Sequence, residues 1–270
     1  MSDLDKVHDF WQAESCGERH AEGSSEIQRF QSQEELRYQL EPFILDFARF
    51  EDFCSLDVLE IGVGFGADHS RIARSRPNSL VGVDLTERAI ESTKARFEVL
   101  GLKSDLKVDN AESLSFEGES FDAVYSWGVL HHSPNTEKCF EEVFRVLRPG
   151  GFAKIMIYHK HAPVGWMLWF RYGLLKLQPF VGLEEIYSSY LESPGTKAFS
   201  VEEARQLSKS FSHFEVDIEL STADLLEADA GARHRGLILS LARIIYPRFL
   251  IRLLCRFAPI GLFMLITVRK

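Results

Sequence analysis

The stretch that decides the fold is VLEIGVGFGA, residues 58–67. It opens with the mainly apolar character of a buried strand and continues into three glycines, Gly62, Gly64 and Gly66, before a helical pattern begins at Ala67. Glycine lets the backbone turn sharply, and because it has no Cβ a ligand can press against the chain. The free amide groups at the start of a helix can hold an anion or a carboxylate. We therefore expect a ligand site between this strand and this helix.

A carboxylate ends the next predicted strand, Leu80–Asp84, eighteen residues beyond Gly66. An acid in this position can accept hydrogen bonds from both hydroxyl groups of a ribose. The glycine turn and Asp84 together predict a ligand that contains a nucleoside. Because the glycine spacing also satisfies the dinucleotide fingerprint, the residues by themselves leave an NAD-linked oxidoreductase open.

Apolar runs and helical patterns alternate after the glycine loop, which is typical of a parallel sheet with helices on both faces. Further strands are predicted at Leu106–Val108, Phe121–Ser126, Phe152–Tyr158, Phe214–Leu220 and Leu262–Val268. Helices are predicted at Ala67–Ser75, Glu87–Leu100, Glu137–Leu147 and over 221–257. Ser200–Glu203 has the pattern of a capping box that opens one more helix. Residues 159–198 are aromatic and show no regular period.

We expect three parts along the chain. Residues 1–50 are predicted to form an N-terminal helical cap, and residues 51–160 a cofactor-binding, Rossmann-like core. Residues 161–270 are predicted to supply lid insertions and the last strands of the core sheet. The cap and the insertions would then form a helical lid over the core.

Five segments in this order resemble those of class I S-adenosylmethionine-dependent methyltransferases, of the broad small-molecule "type 11" kind. They are Glu60–Gly66, Gly82–Thr86, Asn110–Phe116, Phe121–His132 and Arg145–Gly151. The resemblance covers roughly residues 56–158. It implies an α/β fold whose sheet is mostly parallel with the last strand antiparallel, and a helical lid. The chain departs from the family at Asn110, where an acid is usual, and at Ser115, where proline is usual.

The resemblance implies that the chain binds S-adenosylmethionine and releases S-adenosylhomocysteine. Gly62, Gly64 and Gly66 would cradle the methionine part of this cofactor, and Asp84 would hold its ribose. Glu60 would bond the amino group of the cofactor, directly or through water, or would brace the amides of the loop.

The resemblance places the rest of the cofactor against later segments. Leu85 would pack on the adenine, and Asn110 and Ala111 would meet the adenine edge. Ser126 ends the fourth strand, next to the expected amino acid part of the cofactor. Tyr38 lies where relatives often place a residue over the cofactor, although simple packing explains it equally well.

Methyl transfer needs mainly alignment of the donor with the acceptor atom. His131 is the candidate general base, because histidine works at neutral pH and this residue follows the fourth strand. The alternative is that His131 only shapes the loop. No metal site is expected, because adjacent histidines such as His131 and His132 point apart and no carboxylate cluster accompanies them.

The acceptor site is expected to be apolar. The candidate lining residues are Trp11, Trp127, His131, Tyr158 and Trp166. Core packing is the alternative explanation for such aromatic residues. We expect methyl transfer to a small, hydrophobic metabolite or natural product by direct in-line displacement. The alternatives are an NAD-linked oxidoreductase and a non-catalytic protein that binds nucleosides or a membrane surface.

Composition narrows the class of protein further. The 270 residues contain 31 Lys+Arg and 40 Asp+Glu, a net charge of −9 that argues against nucleic acid as a partner. The four cysteines lie far apart, with no spacing suited to zinc or to a disulfide scaffold. The first residues lack the pattern of a signal peptide, and the uncharged stretch Ala258–Val268 is too short to span a bilayer. We expect a cytoplasmic protein, with no expectation for its oligomeric state.

Positive charge is concentrated near the end of the chain. Residues 233–270 contain seven arginines, one lysine and no acid, a charge of +8 that leaves −17 on the rest. Arg248, Arg252 and Arg256 are spaced four apart among apolar residues, which predicts a basic amphipathic helix. Such a helix can lie on an anionic membrane, or it can pack on the acidic body as part of the cap.

Overall fold

The computed structural model describes residues 2–15, 17–227, 246–255 and 257–270. Its seven strands are β1 Asp57–Ile61, β2 Ser79–Asp84, β3 Asp105–Val108, β4 Phe121–Trp127, β5 Leu147–Tyr158, β6 His213–Glu219 and β7 Phe263–Arg269. They form one sheet in the order β3-β2-β1-β4-β5-β7-β6. All neighbouring strands are parallel except β7, which runs antiparallel to both β5 and β6. The predicted fold class is confirmed.

Helices cover both faces of this sheet. Three helices precede β1 in the chain: α1 Asp3–Ala13, α2 Glu26–Leu40 and α3 Phe43–Ala48. Three more follow β1, β2 and β4 in turn: α4 Ala67–Arg74, α5 Glu87–Leu100 and α6 Thr136–Val146. The later helices are α7 Pro163–Tyr172, α8 Leu183–Tyr190, α9 Val201–Leu207 and α10 Arg248–Cys255. One face packs on Phe140 of α6 and Ala204 of α9, and the other on Ile72 of α4 and Phe97 of α5.

The topology fixes where a ligand can bind. Strand β1 pairs with β2 on one side and with β4 on the other, so the chain changes direction across the sheet between them. In open parallel sheets the carboxyl ends of the strands form a crevice at such a point. The loops after β1, β2 and β4 therefore meet at one edge of the sheet.

Strand β5 begins earlier than predicted. The sequence predicts a turn at Pro149-Gly150-Gly151 and a strand from Phe152, but the strand starts at Leu147. Leu147 pairs with Phe121 and Phe152 pairs with Ala123, so the intervening residues bulge out within the strand. Gly150 has φ 81°, a conformation that glycine adopts without strain. The turn residues therefore form an irregularity inside β5.

The segment after β5 is more regular than predicted, because residues 159–198 contain α7 and α8. Pro163 stands at the start of α7, where its missing N–H costs no hydrogen bond. The predicted capping box is confirmed: the amide of Glu203 donates to Ser200 Oγ at 3.2 Å, and the amide of Ser200 donates to Glu203 Oε2 at 2.7 Å.

The predicted long helix over 221–257 is wrong for residues 221–227 and is confirmed for Arg248–Cys255. Residues 221–227 form turns, and the helix α10 begins only at Arg248. Residues 228–245 and Arg256 lie outside the described residues. None of the helices described for this chain combines the length and the apolar character needed to cross a membrane.

Candidate active site

A cavity of about 270 Å³ opens at the carboxyl ends of the central strands. Ile61, Asp84, Trp127 and Tyr158, which end β1, β2, β4 and β5, all line it. Helix α1 contributes Leu4, Val7 and Trp11, and the α2 region contributes Gln33, Arg37 and Glu41. Residues far apart in the chain therefore meet around one space, and α1 and α2 supply part of its wall.

The three loop glycines have positive φ angles of 83°, 52° and 78° for Gly62, Gly64 and Gly66. A Cβ on Gly62 would lie 2.0 Å from Val129 Cγ2, and one on Gly66 would lie 2.9 Å from Thr93 Oγ1. A Cβ on Gly64 would meet no atom within 4 Å. Packing therefore excludes a side chain at two of these positions, whereas Gly64 faces open space in the cavity that a ligand can fill.

This contrast gives a prediction. Gly64→Ala is expected to lower the free energy of unfolding by only about 1–2 kcal/mol, the cost of the left-handed conformation. It is expected to weaken binding of S-adenosylhomocysteine at least about tenfold, because the new methyl group enters the space that the ligand needs. Gly62→Ala, the matched control, is expected to lose roughly 3–5 kcal/mol of stability, since strain and overlap add. Urea unfolding and calorimetric titration measure both effects, and a Gly64→Ala variant with full affinity would contradict the assignment.

Asp84 is held in place by the loop that follows it and by the glycine loop. Its Oδ2 accepts a hydrogen bond from the amide of Gly64 at 3.1 Å. Its Oδ1 accepts from the amide and from the hydroxyl of Thr86 at 3.0 and 2.9 Å. Burial raises the pKa of Asp84, while these hydrogen bonds oppose the rise. The carboxylate is thus fixed in the cavity wall, where lone pairs remain for ligand hydroxyl groups.

Glu60 lies beneath the glycine loop and also lines the cavity. Its Oε2 is 2.8 Å from Nδ1 of His69, whose Nε2 is 2.7 Å from Ser104 Oγ. Burial raises the pKa of Glu60 well above its usual range and lowers the pKa of His69 to about 3, so the imidazole is neutral at pH 7. The sequence interpretation missed His69, which orients this carboxyl group from behind.

Asp68, at the start of α4, is the centre of a buried polar cluster. It accepts a bidentate pair of hydrogen bonds from Arg37, with Nε at 2.9 Å and the terminal nitrogen at 2.6 Å. The hydroxyl groups of Tyr38 and Tyr125 donate to it at 2.8 and 2.9 Å. Burial opposes ionisation, but Arg37 and the two hydroxyls outweigh it and lower the pKa of Asp68.

This cluster corrects the prediction for Tyr38. The phenol is directed at Asp68 and does not line the cavity. Its neighbour Arg37 lines the cavity instead, together with Glu41. Burial raises the pKa of Glu41 to about 7, although the positive charge of Arg37 opposes this rise. Arg37 lies in the last turn of α2 and Glu41 directly after the helix, and the spacing of four residues places both on the side that faces the cavity.

The Asp68 cluster also gives a stability prediction. Asp68→Asn is expected to lower the free energy of unfolding by about 3–5 kcal/mol at pH 7, because the largely buried Arg37 loses its bidentate partner and keeps only Glu41, at 3.7 Å, as a charged neighbour. The pKa of Asp68 is lowered in the folded protein, so its stabilisation is present above the unfolded-state pKa and is lost as the pH falls. The difference between wild type and variant in urea unfolding should therefore shrink in acid. The exposed Asp46→Asn is the control, and equal losses in the two variants would contradict the prediction.

Leu85, Asn110 and Ala111, the residues that are expected beside the adenine, all line the cavity. Asn110 Oδ1 accepts a hydrogen bond from the amide of Glu112 at 2.9 Å, so this side chain also shapes its own turn. Asp109, which the sequence interpretation passed over, lines the cavity beside it. Its carboxylate accepts hydrogen bonds from the amide of Asn110 and from the amide and the hydroxyl of Ser115.

Ser126 does not reach the cavity. Its side chain is buried, and Oγ donates to the carbonyl of Ile61 at 3.0 Å. This bond joins the ends of β4 and β1, so the serine supports the edge of the sheet on which the site is built. The prediction of direct cofactor contact by Ser126 is not matched by its position.

The far end of the cavity is largely apolar. Its lining includes Trp11, Trp127, Met156, Tyr158 and Phe263. Three of the predicted acceptor residues, Trp11, Trp127 and Tyr158, are thus brought together here. Trp166 is not: it lies on α7 with 49% of its surface exposed, edge-on to Trp169. The helical period of α7 turns Trp166 outward, which the irregular interpretation of this segment could not foresee.

A polar group interrupts the apolar end. The hydroxyl of Tyr158 donates to Glu192 Oε2 at 2.6 Å, and His132 Nε2 lies 3.5 Å from the same oxygen. Nδ1 of His132 lies 2.8 Å from Ser193 Oγ, and burial lowers the pKa of His132, so it stays neutral at pH 7. We call Tyr158, His132 and Glu192 the Glu192 cluster; all three line the cavity.

The prediction for His131 is corrected by this arrangement. His131 is fully buried and does not line the cavity. Its ring packs between those of His132 and Tyr158, with centroids 4.1 and 3.9 Å away, and burial lowers its pKa well below the usual range. Among the described residues neither ring nitrogen has a hydrogen-bond partner. His132, the next residue along the same short 3₁₀ turn (Leu130–His132), is the histidine that faces the cavity.

The sheet order, with the antiparallel β7 beside β5, and the cavity at the carboxyl ends of the strands match the class I methyltransferase fold. Residues 58–151 match the model of a family described as a methyltransferase domain. A chain from the complex of the Haloferax volcanii Trm112 methyltransferase activator with a methyltransferase superposes with a TM-score of 0.60 at 18% identity. The superposition covers 97% of this chain and 96% of that one.

Curated relatives match over the same region. Phthiotriol/phenolphthiotriol dimycocerosates methyltransferase of Mycobacterium tuberculosis is 38% identical over 102 residues, 37% of this chain and 37% of the relative. Sterol 24-C-methyltransferase of Aspergillus fumigatus is 32% identical over 123 residues, 42% of this chain and 33% of the relative. The chain thus matches about a third of the length of these relatives. Residues 58–151 thus match a methyltransferase domain, and S-adenosylmethionine is the cofactor of the class I methyltransferases whose fold the chain shares.

Proposed function

We propose that the protein transfers a methyl group from S-adenosylmethionine to a small, apolar metabolite or natural product by direct in-line displacement. The observation that carries the proposal is the shape of the cavity. One end has the glycine loop and Asp84, and the other end has the aromatic lining of Trp11, Trp127 and Phe263. A cofactor and an apolar acceptor can therefore meet in one cavity.

The residues of the first end fit the proposed cofactor. The open space at Gly64 leaves room for a ligand against the backbone, and the fixed carboxylate of Asp84 suits the hydroxyl groups of a ribose. When bound, S-adenosylmethionine supplies a methyl group on a positively charged sulfur, with a neutral thioether as leaving group. The protein then contributes mainly alignment, which accounts for up to about 7–11 kcal/mol of a barrier in favourable cases.

The Glu192 cluster supplies a proton acceptor at the other end. The Glu192 carboxylate accepts a hydrogen bond from Tyr158 and contacts His132, so it is held in one orientation at the cavity wall. A carboxylate has enough lone pairs to accept several hydrogen bonds at once. Glu192 is therefore proposed to take the proton of an acceptor O–H or N–H group as the methyl bond forms. His132 and Tyr158 act through Glu192, as positioning residues.

The names of the relatives support an apolar acceptor. Two of the curated relatives are methyltransferases named for apolar molecules, the dimycocerosates and a sterol. The NAD-linked alternative has less support, because the sheet of the dinucleotide fold has the order 3-2-1-4-5-6 with parallel strands. Here the antiparallel β7 stands between β5 and β6.

A transfer assay tests the proposal. The protein is incubated with S-adenosylmethionine labelled in its methyl group and with organic extracts of bacterial cells. The expected result is label that partitions into the organic phase with wild type and not with Asp84→Ala. Label confined to the aqueous phase would contradict an apolar acceptor, and oxidation of NADH by the same extracts without methyl transfer would favour the oxidoreductase.

A further inference from the structure

An exposed apolar segment lies between α7 and α8. Residues 174–180, here called the α7 tip, contain four apolar side chains that face solvent. Leu177 and Phe180 are 90% and 99% exposed, and Leu174 and Leu175 stand beside them at 40% and 57%. Side chains of this size contribute favourably when they are buried, so such a cluster on a surface indicates an interaction site.

Helix α10 presents a second exposed apolar surface. Phe249 and, just after the helix, Phe257 are each 81% exposed, and Leu250 and Leu254 are about half exposed. The apolar positions of this helix are therefore not buried against the body of the protein. Packing as a cap helix, one of the two alternatives from the sequence, does not account for these exposed side chains.

The two surfaces are anchored at one point. The carboxylate of Asp224 accepts hydrogen bonds from the amide of Val164, in the first turn of α7, at 3.0 Å and from the amide of Leu262 at 2.8 Å. The hydroxyl of Tyr246, two residues before α10, donates to the carbonyl of Asp224 at 2.8 Å. Asp224 is fully buried. The beginnings of α7 and α10 are therefore held together.

This anchor adjoins the apolar end of the cavity. Leu262 directly precedes Phe263, which lines the cavity, and α7 follows closely after Tyr158, which also lines it. Phe263 and Tyr158 are paired across β7 and β5, with their rings stacked 6.1 Å apart. The two helices that carry the exposed apolar surfaces thus begin at the same edge of the sheet as the acceptor end of the cavity, and the α7 tip follows the other end of α7.

Basic residues accompany the apolar ones. Lys176 lies within the α7 tip and Arg171 near the end of α7, both against the ring of Tyr172. By sequence, the stretch 233–270 carries +8 with no acid; four of its arginines, Arg233, Arg235, Arg243 and Arg256, lie outside the described residues. Within α10, Arg252 is 57% exposed and contacts Glu227. Apolar side chains beside positive charge complement a surface of anionic headgroups over acyl chains.

We propose that the α7 tip and α10 dock the protein on an anionic lipid bilayer, with Leu177 and Phe180 inserted among the acyl chains. Leu177 and Phe180 project almost entirely into solvent. Fluid acyl chains can surround such side chains in any arrangement, whereas a protein partner would need a preformed pocket for each of them. Docking holds the acceptor end of the cavity close to the lipid phase, where apolar acceptors concentrate. The inference goes beyond the proposed function and does not depend on it.

Vesicle flotation tests the proposal. The full chain is mixed with vesicles of phosphatidylcholine alone or of phosphatidylcholine with phosphatidylglycerol, at low and high salt. Wild type is expected to float with the anionic vesicles and to bind less at high salt, since salt screens exposed charges. The double variant Leu177→Ser/Phe180→Ser is expected to bind about 100-fold more weakly, roughly tenfold for each buried side chain lost.

A matched control uses apolar residues exposed elsewhere. Ile27 on α2 and Val108 on β3 are 41% and 45% exposed, and the double variant Ile27→Ser/Val108→Ser is expected to float like wild type. Thermal unfolding and titration with S-adenosylhomocysteine check that both variants keep their fold and cofactor site. The proposal would be overturned if wild type failed to float, if both double variants floated equally well, or if ultracentrifugation showed that the α7 tip is covered by a second copy.

Discussion

Replacing Glu192 with glutamine is expected to lower kcat for methyl transfer by about 10²–10⁴-fold, the usual contribution of a general base. Glutamine keeps the size of the side chain and can still accept the hydrogen bond from Tyr158, but it cannot take a proton. The affinity for S-adenosylhomocysteine should stay close to that of wild type. Initial rates at saturating acceptor, together with a calorimetric titration, separate the two quantities.

Two further variants sharpen this test. Glu185→Gln changes an exposed glutamate on the neighbouring helix α8 and is expected to leave kcat unchanged. Tyr158→Phe removes one donor from the Glu192 carboxylate and is expected to lower kcat by roughly tenfold, a smaller loss because the base itself remains. A Glu192→Gln enzyme with the kcat of wild type would show that the acceptor loses its proton without this residue.

Replacing Asp84 with alanine is expected to weaken the binding of S-adenosylhomocysteine by at least about 100-fold. The carboxylate is proposed to accept two ribose hydroxyl groups, and each hydrogen bond to a charged group contributes about 1.5–3 kcal/mol. Asp84→Asn should fall between alanine and wild type, since an amide keeps one acceptor oxygen. Calorimetric titration of the three proteins measures the order directly.

Asp84 also fixes the backbone of the glycine loop through the amides of Gly64 and Thr86. The alanine variant must therefore be compared by thermal unfolding as well as by affinity. Asp105→Ala removes an exposed carboxylate at the start of β3 and serves as the control, with unchanged affinity expected. If a folded Asp84→Ala protein bound S-adenosylhomocysteine with the affinity of wild type, the proposed contact between Asp84 and the ribose would be contradicted.

Much of the fold could be predicted because it depends on local patterns. The glycine loop after β1, the strand-end Asp84 and the helix α5 each have a signal within a few residues, and strand–helix alternation implies the parallel sheet. The start of β5 could not be predicted in this way. Pro149-Gly150-Gly151 has the composition of a turn, and only the pairing of Leu147 with Phe121 makes it part of a strand.

The same distinction between local patterns and tertiary structure applies to the residues of the site. Residues at the ends of parallel strands, such as Asp84 and Trp127, could be predicted because those ends meet at one edge of the sheet. Arg37 lies on α2 and Glu192 in the loop after α8, far apart in the chain, and only the tertiary structure brings them to the cavity. The choice between His131 and His132 depends on which way a short 3₁₀ turn faces, and neighbouring residues in a sequence carry no signal for that.

The central claim is that the cavity binds S-adenosylmethionine, and a calorimetric titration tests it most directly. Purified wild-type protein is titrated with S-adenosylhomocysteine and, in parallel, with NADH. Saturable one-to-one binding of S-adenosylhomocysteine, with no heat from NADH, is the predicted result. Saturable binding of NADH with no response to S-adenosylhomocysteine would contradict the account.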